Sequence, residues 1–263
     1  TLSALYYFGT GIASLVFVAI NLLPYGWRSI YVIGAVPLFA VAYLRRRLPE
    51  TQRFALRRAE IGERISRIKA TLILLRQMAS EYPGRLSAIL IAVAAFGFAT
   101  SPAFVLTSKY LQSVHHYTPG EVTALFIPGG LIGLALSILT GRLSDRIGRK
   151  PVAFAMAALA GVSFFALYGV GAGWLLPALW IIGFFGYFSA DALLAGFAIE
   201  IVPTSYRATV SGLRYLVEIM AGALALALEG RFYDHYGAHG PAIQVMLGAM
   251  PLALLAILFL PEP

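Results

Sequence analysis

The sequence predicts an all-α, polytopic membrane protein. Three observations predict it: an apolar composition, eight long runs nearly free of charge, and a one-sided distribution of basic residues. Of 263 residues, 59% are hydrophobic and only 12% charged, with a mean hydropathy of +0.79, whereas soluble domains are roughly half apolar and a quarter charged. Apolar runs fall at 2–23, 27–44, 86–108, 122–140, 151–170, 174–199, 208–228 and 241–260, each about long enough to cross ~30 Å of hydrocarbon as a helix. None shows period-two alternation, and in lipid each segment must satisfy its own backbone groups, which selects helices over strands. A soluble bundle would need polar helix faces that these runs lack.

The first two runs are followed by the longest polar interval, 45–85. Within it Ile61, Ile65, Ile68, Leu72 and Leu75 recur at steps of four and three, with Glu60, Glu63, Arg64, Arg67 and Lys69 between them. This pattern predicts an amphipathic helix lying on the membrane face or against the bundle. The last six runs follow with short connections. If the helices alternate, the segments 45–85, 141–150 and 207–214 share one side and hold all the basic residues except Arg28, Lys109 and Arg231. The positive-inside rule places that side, and the start of the first helix, in the cytoplasm. The net charge of +8 is then expected to anchor the protein beside anionic lipid, with no nucleic acid implied.

The connection GRLSDRIGRK, 141–150, has its own physical logic. Gly141 and Gly148 permit sharp turns, and Pro151 suits the first turn of the next helix. Asp145 can accept from unpaired N–H groups at a helix N-terminus or pair with an arginine. Charges inside spans are costly unless paired or neutralised, and three occur: Asp191, Arg214 and Glu218. Asp191 lies nine residues before Glu200 and Arg214 seven after Arg207, so on adjacent antiparallel helices both sit at ~10–14 Å from the same ends and are expected to pair. Glu218, one turn beyond Arg214, either shares that arginine or binds a proton. Glu229 is expected to be exposed at a helix end. His115, His116, His235 and His239 are expected to be solvated rather than to bind metal.

Pro102 is expected to interrupt its helix and free backbone groups to line a cavity. Thr100, Ser101, Phe104, Thr107, Tyr110, Tyr187, Phe188 and Tyr215 are candidate lining residues, and Gly129, Gly130 and Gly133 provide close-approach spacing. Cysteine is absent, and no His-Glu-x-x-His, Walker or Gly-x-Ser-x-Gly pattern occurs, so neither an enzyme nor a cofactor is expected. A channel would favour rings of like charge or a carbonyl filter over a single mid-membrane carboxylate.

GRLSDRIGRK between two membrane helices resembles the cytoplasmic loop motif of the major facilitator superfamily. GWR at 26–28 followed by a helix and RRRLPETQRF resembles the end of that family's N-terminal half and its central loop, and EIVPTSYRATVSG at 200–212 resembles the loop between its tenth and eleventh helices. The resemblance implies eight helices, the fifth to twelfth, of a twelve-helix fold whose first four helices are missing here. Residues 1–44 would close the N-terminal bundle, 45–85 form a cytoplasmic linker and 86–263 form the C-terminal bundle. It also implies a secondary transporter of the cytoplasmic membrane that binds a small molecule and works by alternating access. Asp145 would dock at the start of the first helix, and Gly141, Arg146, Gly148, Arg149, Glu200 and Arg207 would complete a cytoplasmic gate. PETQRF and RATVSGLRYLVE look more like proton symporters for organic acids, sugars or similar metabolites, with a proton-driven efflux antiporter as the alternative. Without its missing helices, the chain alone is expected to transport nothing.

Overall fold

The computed structural model describes residues 2–47, 67–169 and 173–260, and they are almost entirely helical. In chain order the helices are α1 (Leu2–Val18), α2 (Trp27–Arg45), α3 (Arg67–Glu81), α4 (Pro83–Val114), α5 (Pro119–Ile147), α6 (Arg149–Gly169), α7 (Leu176–Glu200), α8 (Arg207–Tyr236), α9 (His239–Leu247) and α10 (Met250–Leu258). Seven spans among the described residues are long and apolar enough to cross a membrane, with α9 and α10 counted together. The protein is an all-α, polytopic membrane protein. The first predicted span, 2–23, is the one not among the seven, because it is shorter than expected. Its helix, α1, has 17 residues and continues into a 3₁₀ turn, Ala19–Asn21, where the sequence placed one run to residue 23.

α4 is the central helix, packing against α8, α10 and α9 and touching α6 and α7. It starts with Pro83 in its first turn, where no N–H is needed. It runs unbroken through Pro102, so the expected interruption does not occur. Two buried apolar clusters fill the bundle. One contains Phe96, Ala153, Phe197 and Ile257, and the other Leu111, Phe164, Trp180 and Phe184. The 241–260 run is divided at Gly248 and Ala249 into α9 and α10, with Pro251 in the first turn of α10. Proline has no N–H and crowds the carbonyl four residues back, so the chain restarts its helix there.

α1 lies against α5, and the Thr123 hydroxyl donates to the Ser14 carbonyl at 2.9 Å. α2 buries none of its described residues. Of the expected amphipathic linker helix, residues 48–66 lie outside the described residues, as do the side chains of residues 67–71. In the remainder, within α3, the two described positions of the expected apolar face divide. Leu72 is exposed, whereas Leu74 and Leu75 pack on the bundle and Met78 is fully buried. The end of α3 and the start of α4 are fastened to the α7–α8 connection, where the Tyr206 hydroxyl donates to the Glu81 carboxylate of α3 at 3.2 Å and Arg85 of α4 donates to the Ile201 carbonyl at 3.2 Å.

The connection between α5 and α6 is much shorter than the sequence implies. α5 extends to Ile147 and α6 begins at Arg149, so only Gly148 separates them. Gly148 has φ 106°, a conformation that L side chains rarely adopt, and this explains a glycine there. Gly141 is different. It lies inside α5 with open space where a Cβ would point, so it makes no turn. The other end of α5 carries a capping box. Thr118 accepts from the Glu121 N–H at 3.3 Å, and Glu121 accepts from the Thr118 N–H at 2.8 Å.

Candidate functional site

α7 and α8 are adjacent and antiparallel, joined by a short connection, which brings Asp191 and Arg214 to the same depth. Arg214 Nη1 donates to Asp191 Oδ1 at 2.7 Å and to Glu218 Oε2 at 2.8 Å. One nitrogen of one guanidinium therefore holds two carboxylates, one from the neighbouring helix and one from its own helix at i+4. Arg214 is 1% exposed and Glu218 9% exposed, while the Asp191 side chain retains 24% of its accessible surface. Arg214 also lies 4.9 Å from the Tyr215 ring centroid, within the range of a cation–π contact.

Glu218 is held in place by a close helix contact. A Cβ on Gly97 of α4 would lie 2.8 Å from the Glu218 carbonyl oxygen and 2.9 Å from its Cγ, and one on Gly222 would lie 2.9 Å from Ser101 Cβ. Small residues at both positions let α4 and α8 approach, as in other tightly packed membrane helices. The sequence predicts such close-approach spacing at Gly129, Gly130 and Gly133 instead. There, Gly129 has only ordinary contact room against Trp180. Gly97 and Gly222 sit on different helices with no shared sequence pattern, so only the fold pairs them.

The candidate lining residues divide into two groups. Thr100 and Thr107 are fully buried, and their hydroxyls donate to carbonyls of their own helix, Thr100 to Phe96 at 2.7 Å and Thr107 to Ala103 at 2.6 Å. Tyr110 is buried against Tyr168. Phe104 and Tyr187, by contrast, are half-buried and stack at 5.0 Å, and Tyr187 also stacks on Phe96 at 5.6 Å. Phe188 stands edge-on to both Phe104 and Tyr187. Ser101 is half-buried beside Gly222, and Tyr215 is 54% exposed.

At the basic end, Arg149 forms an ion pair with Glu200 and lies 3.9 Å from Asp145. This joins α5, α6 and α7. Arg146 and Arg207 enter no ion pair among the described residues, so they stand outside the network expected of them. The side chains at the start of α1, where Asp145 was expected to dock, lie outside the described residues.

The opposite end corrects the sequence reading. Glu229 and His239 were expected at the surface, yet they are 4% and 7% exposed and bonded to each other, His239 Nδ1 to Glu229 Oε1 at 2.8 Å. The Tyr233 ring stacks on His239 at 4.3 Å. α8 continues to Tyr236, past the apolar run that ends at residue 228, so Glu229 remains inside the bundle where α9 covers it. His115 is only half-exposed. Its burial, together with neighbouring His116, pushes the imidazole below its ordinary proton affinity. Among the described residues no group of three or more His, Asp or Glu side chains could hold a metal.

Comparisons with known proteins agree with this architecture. The chain is 27% identical over 97% of its length to a probable 4-methylmuconolactone transporter of Cupriavidus pinatubonensis, covering 59% of that protein. It is 25% identical over 91% of its length to a putative metabolite transport protein of Haemophilus influenzae, again covering 59% of that protein. It is 28% identical over 74% of its length to an ectoine/proline transporter of Corynebacterium glutamicum, covering 40% of that protein. The chain thus spans about three fifths or less of these relatives. A model of the Major Facilitator Superfamily matches residues 1–226, and the chain belongs to that family.

Proposed function

We propose that this chain is part of a proton-coupled carrier that moves a small metabolite across the cytoplasmic membrane by alternating access. The observation that carries this reading is the sharing of Arg214 by Asp191 and Glu218. Fully ionised, the three groups carry one negative charge more than they cancel, in a setting where uncompensated charge is costly. A proton is the smallest group that removes the excess. Asp191 is the most accessible member of the cluster and Glu218 the most buried carboxylate, and both accept from the same Arg214 nitrogen, so a proton taken up at Asp191 arrives beside Glu218 without passing through the guanidinium.

The names of the relatives support a small metabolite as cargo. In this reading, residues 1–44 close one helical bundle, 45–85 link it along the cytoplasmic face and 86–263 form the other bundle. The basic end faces the cytoplasm, in contact with anionic lipid. The substrate binds between the bundles near Phe104, Ser101, Tyr187 and Tyr215, and four further helices complete the transporter. The Arg149 contacts with Glu200 and Asp145 act as a cytoplasmic latch when the halves rock. The test is Glu218→Gln in the full-length transporter, reconstituted into vesicles. Proton-driven accumulation should fall at least ~100-fold while substrate exchange persists, since a removed coupling site uncouples without blocking the path. Accumulation with unchanged dependence on the proton gradient would overturn the coupling role.

A further inference from the structure

Arg214 carries more hydrogen-bonding capacity than its two partners use. A guanidinium offers five N–H donors in a rigid fork, and both bonds to Asp191 and Glu218 leave from Nη1. Nε is buried and has no acceptor among the described residues. Nε–H and one N–H of Nη2 point along the same edge of the guanidinium, away from Nη1. That edge is the donor pair with which arginine grips a carboxylate in parallel. A buried charged donor without an acceptor is rare in folded proteins and calls for an explanation.

We propose that the free Nε–Nη2 edge of Arg214 is the binding site for a carboxylate of the transported metabolite. The inference rests on the proposed reading of the Asp191, Arg214 and Glu218 cluster as the coupling site. It adds the class of the substrate to that reading. With Glu218 and Asp191 both ionised, a third carboxylate meets excess negative charge. With one of them protonated, the excess negative charge is gone and Arg214 can hold the incoming carboxylate on its free edge, so one proton enters with each carboxylate. The surroundings favour an acid with a flat or apolar body. Tyr215 lies against the guanidinium with its ring 54% exposed. Tyr187, one turn from Asp191, stacks on Phe96 and Phe104.

The test uses the full-length transporter in detergent and three probe acids, formate, acetate and benzoate, each compared with its amide. Binding is read as ligand-dependent protection against thermal unfolding. At least one of the acids should protect at millimolar concentration where its amide does not, with protection stronger at pH 6 than at pH 8. Arg214→Lys keeps the charge but loses the fork, and should weaken protection at least ~10-fold. Because that variant can disturb folding, Glu218→Gln provides a second readout. It relieves Arg214 of one competing anion, so protection at pH 8 should tighten to the pH 6 level. Equal protection by acids and amides, no protection by any of the three acids, or full protection of Arg214→Lys would each overturn the carboxylate site. PH-dependent accumulation without acid selectivity would leave the coupling reading intact and remove this one. Acid selectivity that is the same at both pH values would keep the site and remove the coupling.

Discussion

α8 carries two buried acids, and their partners make them different objects. Glu218 is tied to Arg214, a permanent cation on the same helix that also holds Asp191 of α7. Glu229, three turns further along, is tied to His239 of α9, whose charge depends on protonation. The Glu218 cluster has two acids on one base, so its charge does not balance and one acid can trade partners. The Glu229 pair is one acid on one base, closed off by α9 and the Tyr233 ring. The first arrangement suits a group that exchanges protons and ligands, and the second suits a clasp between two helices.

Removing the base from each should show the contrast most sharply. Arg214→Ala leaves two carboxylates in the bundle interior with no cation, and breaking a buried pair in this way costs about 3–5 kcal/mol. The full-length protein should lose much of its folded fraction, read by size-exclusion profile and thermal unfolding. Adding Glu218→Gln should recover only part of the loss, because Asp191 remains unpaired. Recovery to the wild-type midpoint would mean that Asp191 contributes nothing, and the cluster would reduce to a pair like that of Glu229.

His239→Ala should cost less, about 1–3 kcal/mol, the usual penalty for leaving one buried hydrogen-bonding group unsatisfied. Here Glu229→Gln in the same background should restore most of the stability, since no third group is left over. Thermal unfolding of the single and double variants decides it. A double variant no more stable than His239→Ala would show that Glu229 has another partner and that the pair is not closed.

The same contrast explains what could be read from the sequence. Asp191, Arg214 and Glu218 stood out because charge inside an apolar run is rare, and counting residues from Glu200 and Arg207 placed two of them at matching depth. Glu229 did not stand out, since it lies one residue beyond the run that ends at 228, and nothing local says that α8 continues to Tyr236 or that α9 folds back over it. Hydropathy sees the apolar part of a helix, and the structure also includes the polar turns that continue it. For the same reason hydropathy predicts a ten-residue loop between α5 and α6, where the helices leave only Gly148 between them. The Gly97 contact with Glu218 was unreadable for a different reason. A glycine in an apolar helix fits any close approach, and which helix approaches is decided by packing.

The charges at the basic end provide the smallest effect and the lower bound of the comparison. Arg149 and Glu200 form an ion pair with 33% and 27% of their side-chain surfaces accessible, and Asp145, at 71%, is more open still. Water screens such pairs and side-chain ordering offsets part of the gain, so Glu200→Gln should cost no more than about 1 kcal/mol. The loss should shrink further between 50 mM and 500 mM salt, because the Debye length drops from roughly 14 Å to about 4 Å. The Arg214 cluster, out of water, should show no such salt dependence. A salt-insensitive loss above ~2 kcal/mol for Glu200→Gln would place Arg149 with the buried bases. The latch would then be a structural fastening of α6 to α7, too strong to open and close during transport.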